Sequence, residues 1–130
     1  MRPPDIHFRS IEEHLVGHPL VLFHDLQKVQ TSPSTAYLKG NILFADGSTL
    51  SIFQHIRFND AETRISDYRY HYMSPEKRMV FRYDNAPHHG EVVDTHPHHK
   101  HTPNGVGASN MPDFRDVLDE ATGLVIENLT

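Results

Sequence analysis

The sequence predicts an α+β fold: an antiparallel meander of about five strands, with a short N-terminal helix and a longer C-terminal helix packed on one face. Three observations lead there. Runs rich in strand formers follow one another from residue 20 to residue 84. Turn-forming residues separate them. Near the C-terminus the apolar residues switch to helical spacing. At 130 residues the chain suits one domain, 1–130.

The elements are expected in this order. Ser10 to Val16 reads as a short helix, with Ser10 as cap, Glu13 completing a capping box, and Gly17 and Pro19 as stops. Leu20 to Val29 is the first strand, ended by Thr31-Ser32-Pro33-Ser34. Ala36 to Ala45 is the second, with Leu38, Ile42 and Phe44 on one parity, and Asp46-Gly47 is a hairpin turn signal. In the third, Leu50, Ile52, Ile56 and Phe58 alternate with Ser51, Phe53, His55 and Arg57. Arg64 to Met73 and Lys77 to Asp84 are the fourth and fifth, joined through Ser74-Pro75-Glu76. A long loop follows. The last helix is expected to be capped by Asn110, with Phe114, Val117, Leu118, Ala121, Leu124 and Val125 as its buried stripe.

Composition narrows the function. An apolar fraction of 37% with 22% charged residues is that of a soluble globular protein. No run of about 20 apolar residues exists, so no membrane partner is expected. The start, Met1-Arg2-Pro3-Pro4-Asp5, lacks the apolar segment of a signal peptide, and a cytoplasmic location is expected. With no cysteine there is no disulfide, thiolate metal site or cysteine nucleophile. Formal charge is −5, which argues against a nonspecific nucleic-acid coat. Yet six of the twelve Lys and Arg lie between Arg64 and Lys100, so a local basic cleft is allowed.

The fourth and fifth strands divide by parity. Tyr68, Tyr70 and Tyr72 share one face; Asp67, Arg69 and His71 share the other. The expected pairing sets Tyr70 beside Phe81, His71 beside Val80, Arg69 beside Arg82 and Asp67 beside Asp84. The aromatic layer reads as core. The polar face reads either as Arg–Asp pairs in solvent or as a phosphate site, since paired guanidiniums match phosphate oxygens.

Half of the twelve histidines fall between His88 and His101: His88, His89, His96, His98, His99 and His101. An imidazole takes a proton, gives one or binds a metal near neutral pH. No H-E-x-x-H, G-x-S-x-G or glycine-rich phosphate loop accompanies them.

Three stretches together carry a resemblance: Tyr68-Arg69-Tyr70-His71-Tyr72, the run Met79-Val80-Phe81-Arg82-Tyr83-Asp84-Asn85-Ala86-Pro87-His88-His89, and Pro97-His98-His99-Lys100-His101. With the acidic C-terminal helix, they resemble the TumE-like family, toxins of prokaryotic type II toxin–antitoxin modules. The match covers roughly the last two-thirds of the chain, and Arg82 to His101 is its specific part. The resemblance implies a toxin role and a helix-turn-helix antitoxin partner. It supplies no catalytic residues.

Three readings of the histidines remain. In the favoured one the chain is a ribonuclease that needs no cofactor. His71, Asp84, His88, His89, His98, His99 and His101 are then the catalytic candidates, and Arg69, Arg82, Asn85 and Lys100 bind the RNA substrate. In the second, a His-rich hydrolase holds a divalent metal (Zn, Ni or Mn) through His96, His98, His101 and Asp84. In the third the segment is a non-catalytic docking surface. An oligomer stays open.

Overall fold

A computed structural model describes residues 3–86 and 97–130 of the chain. It is ordered α1 (Pro3–Leu15), β1 (Val21–Ser32), β2 (Thr35–Phe44), β3 (Thr49–Phe58), β4 (Thr63–Met73), β5 (Met79–Asp84), β6 (His99–Thr102), β7 (Gly105–Ala108) and α2 (Phe114–Leu129). The strands form one sheet in chain order, every neighbouring pair antiparallel.

Among the described residues the sheet therefore has seven strands, not about five. The added hairpin, β6 and β7, lies in the expected long loop. Thr102 pairs with Gly105 across Pro103-Asn104, and Gly105 takes φ +131°, which only glycine adopts freely. Histidine, lysine and glycine are weak strand formers, so β6 and β7 owe their form to the free edge of β5.

Both helices differ at their starts from expectation. α1 begins at Pro3, where a missing N–H costs nothing in the first turn. Ser10 is inside it and donates to the His7 carbonyl (2.6 Å), so it caps nothing. Asp113, not Asn110, caps α2, accepting from the Arg115 N–H (3.2 Å).

The two helices cover the same face of the sheet. Phe8, Ile11 and Leu15 of α1 and Phe114, Val117, Leu118, Ala121 and Val125 of α2 are buried. They join Leu38, Ile42 and Phe44 of β2, Leu50, Ile52 and Ile56 of β3, and the three tyrosines of β4 in one core. Each large apolar side chain buried there contributes about 1.5–3 kcal/mol. The polar tips inside are paired: Gln54 Nε2 donates to Tyr70 Oη (2.8 Å), and Tyr72 Oη donates to Ser48 Oγ (2.9 Å). Burial pushes the Tyr70 phenol up to about 12, so its hydroxyl stays protonated.

The register between β4 and β5 is shifted by two residues from expectation. Tyr70 lies opposite Tyr83, Tyr72 opposite Phe81, His71 opposite Arg82 and Arg69 opposite Asp84. The turn explains it. The Ser74 N–H donates to the Arg78 carbonyl (2.8 Å), Lys77 adopts φ +68°, and an irregularity falls between Tyr72 and Met73. Because the shift is even, each side chain keeps its expected face. Arg69 and Arg82 do not face each other; each meets a different partner.

Candidate functional site

The face away from the helices carries the odd-numbered residues of β3, and two cross-strand rows define it. One runs Lys39, Phe53, Arg69, Asp84, His99. The next runs Asn41, Ser51, His71, Arg82, His101. In-register neighbours share a face, so these ten side chains stand together.

Asp84 is the centre. It is 5% exposed, beside His99 at 1% and His101 at 8%. Its Oδ1 accepts from the Ala86 N–H (3.2 Å) and meets His99 Nε2. Its Oδ2 accepts from Arg82 Nε (3.0 Å) and lies 3.3 Å from His101 Nε2. A carboxylate this buried needs such compensation, since desolvating an unpaired charge costs several kcal/mol.

The two buried imidazoles are held differently. His99 Nδ1 donates to the Pro97 carbonyl (2.8 Å), which leaves Nε2 turned to Asp84. Two lone pairs in contact repel, so a proton or a cation must lie between that nitrogen and the carboxylate. His101 Nε2 faces both an acceptor, Asp84 Oδ2, and a donor, Arg82 Nη2 at 3.1 Å. That nitrogen has a partner in either protonation state.

His71 stands on the other side of Arg82. Burial lowers its pKa, and the Arg82 and Arg69 guanidiniums lower it further. Its Nε2 is buried and has no hydrogen-bond partner among the described residues. Such an atom costs stability unless something uses it. Arg69 is exposed and lines an open depression of about 490 Å³ with Phe53, Asp67, Tyr68, Arg82, Asp84, Asn85 and Ala86.

Other expected site residues are elsewhere. Lys100 is on the helix face, where its Nζ donates to Glu120 Oε2 (2.8 Å) and sits over the Tyr83 ring. Burial works against its charge, but Glu120 and Tyr83 outweigh that and raise its pKa. His98 stacks on Tyr68, with Nδ1 and Tyr68 Oη 2.9 Å apart, and so leaves the Asp84 group. Burial raises the Tyr68 phenol, and Tyr70 and Asp84 add to it, so its hydroxyl donates to that ring. Asn85 extends the ladder past the last β4–β5 pair: its side chain accepts from the Tyr68 N–H (3.0 Å) and donates to the Ser66 carbonyl (2.9 Å). His88, His89 and His96 lie outside the described residues.

The expected metal set changes accordingly. Asp84, His99 and His101 bring their ligand atoms within 4.8 Å of one another, and His98 does not join them. The His99 Nδ1–carbonyl bond is the outer support that metal-ligating histidines commonly have.

Phe53 was not singled out by its chemistry in the sequence, although an aromatic ring among Ser51, His55 and Arg57 was the signal for it. It lies beside Arg69 and stacks with Tyr37 (ring centroids 6.3 Å apart, 30° between planes).

A family model described as toxin TumE matches residues 8–129, nearly the whole chain. No curated protein and no solved structure gives a match.

Proposed function

The chain belongs to the TumE family of toxins, and from that premise we propose that it acts by cutting RNA at the row His71, Arg82 and His101. A guanidinium flanked by two imidazoles on neighbouring strands carries this reading. Arg82 holds the phosphate and stabilises the charge that builds on it. His71, kept neutral by burial and its arginine neighbours, takes the proton of the ribose 2′-hydroxyl. The 2′-oxygen bonds to phosphorus as the bond to the 5′-oxygen breaks. His101, beside Asp84, gives the leaving oxygen its proton. The products are a 2′,3′-cyclic phosphate and a free 5′-hydroxyl. Asp84 and His99 act as positioning residues behind this row: Arg82 and His101 take up the Asp84 carboxylate, and His99 is held between the Pro97 carbonyl and Asp84. The toxin family implies an antitoxin. A helix-turn-helix partner covering this face is the simplest form of neutralisation.

One observation favours a second reading: Asp84, His99 and His101 bring together a donor set that a divalent metal would fit, with His99 braced by Pro97. A metal there would supply the Lewis acid for the same cleavage. Chelation separates the two. Purified protein stripped with a chelator is expected to cut RNA at its original rate and leave cyclic phosphate ends. Loss of cutting, restored by zinc, nickel or manganese, moves the chemistry to the metal. No cutting under either condition rejects both.

A further inference from the structure

The helix-free face extends well beyond the three residues assigned to chemistry. On it Phe53 and Tyr37 form a stacked pair, half-buried, with nothing of the core to explain them. A second open depression, about 690 Å³, is lined by Asp25, Gln27, Lys39, Asn41, Phe53 and Arg69 among others. It shares Phe53 and Arg69 with the depression that reaches Arg82 and Asp84. The two make one trough across the strands, from β1 to the Asp84 group.

Charge divides with the faces. Lys39 and Arg69 are exposed along the trough, Arg82 stands at its end, and Arg57 pairs with Arg64 beyond Phe53. The acids on this side are held locally: Asp25 accepts from the Asn41 N–H (2.8 Å), Asp67 lies 3.8 Å from His55, Asp84 is bound by Arg82, and Glu62 lines a depression with Arg57 and Arg64. On the opposite face α2 carries Asp116, Asp119, Glu120 and Glu127 against Arg115 alone. In a chain of net charge −5, the aromatic side thus carries a cluster of cations while α2 carries a surplus of acids.

We propose that this trough binds single-stranded RNA, with one base stacked on Phe53 and the backbone led past Lys39 and Arg69 to Arg82. The inference rests on the RNA reading above and names the form of RNA that fits. Aromatic rings beside cations on an open sheet suit unpaired bases, whose flat faces are free; a duplex hides them. Phe53 and Asp84 stand two strand spacings apart, about 10 Å, so a base on Phe53 sets a nearby phosphate at Arg82.

The test uses the whole wild-type chain and a labelled 2′-O-methyl oligonucleotide of about ten residues, which the proposed chemistry cannot cut. Fluorescence anisotropy is expected to show the single strand binding at least tenfold tighter than its duplex. Phe53→Ala should weaken it by about tenfold or more, and Phe53→Tyr should restore it. Lys39→Glu, at an exposed position that leaves folding intact, should weaken it and flatten its salt dependence. Equal binding of strand and duplex, or binding untouched by Phe53→Ala and Lys39→Glu, overturns the proposal. So does the absence of binding, in which case a protein partner is the occupant of this face. The two ideas fail separately. Binding as described with unmodified RNA left intact rejects the nuclease and keeps the trough; cutting unaffected by Phe53→Ala does the reverse.

Discussion

The two faces of the sheet are built from the same strands and differ in almost everything else. On the helix face Tyr68, Tyr70, Tyr72 and Phe81 lock into an apolar core in which every tyrosine hydroxyl has a partner. On the other, Arg69, His71, Arg82 and Asp84 stand one residue away along the same strands. That face holds a nitrogen of His71 with no partner among the described residues, and a buried carboxylate wrapped by Arg82, His99 and His101. One face is satisfied; the other stores unspent polarity. The contrast teaches that stability and chemistry are separated here by strand parity, not by distance along the chain.

Substitutions on either face can break that division. The largest effect is expected at His101→Ala, where RNA cutting should fall by about 10²–10⁴-fold, read as an initial rate on protein shown by circular dichroism to be folded. A loss under threefold would remove His101 from the chemistry. Tyr70→Ala should do the opposite: about 3–5 kcal/mol of stability lost in a urea titration, as for other large aromatics cut from a core, with the rate per folded molecule unchanged. Were its rate to collapse while the chain stayed folded, the faces would be coupled.

A subtler effect concerns pH. The His71 pKa is lowered from its ordinary 6.5 by burial, and by Arg82 and Arg69. As pH falls below about 6.5, the unfolded chain takes up a proton that the folded chain refuses. Stability therefore drops with falling pH until the folded pKa is reached. His71→Asn should remove this contribution, so its unfolding free energy should depend less steeply on pH than that of the wild type. Parallel curves would mean that His71 is as easily charged in the fold as outside it.

The smallest effect is expected at Lys100→Met. Its ion pair with Glu120 is partly exposed and worth under about 1 kcal/mol. Because Lys100 lies on the helix face, cutting should change by less than threefold. A large loss of activity would return Lys100 to the phosphate role that its place among the histidines first suggested.

The sequence made the parity of β4 and β5 legible, because Tyr-Arg-Tyr-His-Tyr and Phe-Arg-Tyr-Asp leave one way to bury the rings. It did not reveal register, which depends on the Ser74–Arg78 turn and the irregularity beside Met73. Nor did it show β6, whose His-Lys-His pattern reads as chemistry until an open strand edge recruits it. The same alternation separates His99 and His101 from His98 and Lys100, so only two of those four reach Asp84. Membrane crossing was set aside from composition, and no described helix is long and apolar enough to cross a membrane.

Asp84 contacts Arg82, His99 and His101 together, and Asp84→Asn tests the account most directly. The change removes the charge and keeps the shape. Measured as RNA cleavage per folded molecule, it is expected to cost at least about 100-fold while the chain still unfolds in one cooperative transition. Cleavage at the wild-type rate by a folded Asp84→Asn chain would contradict the account.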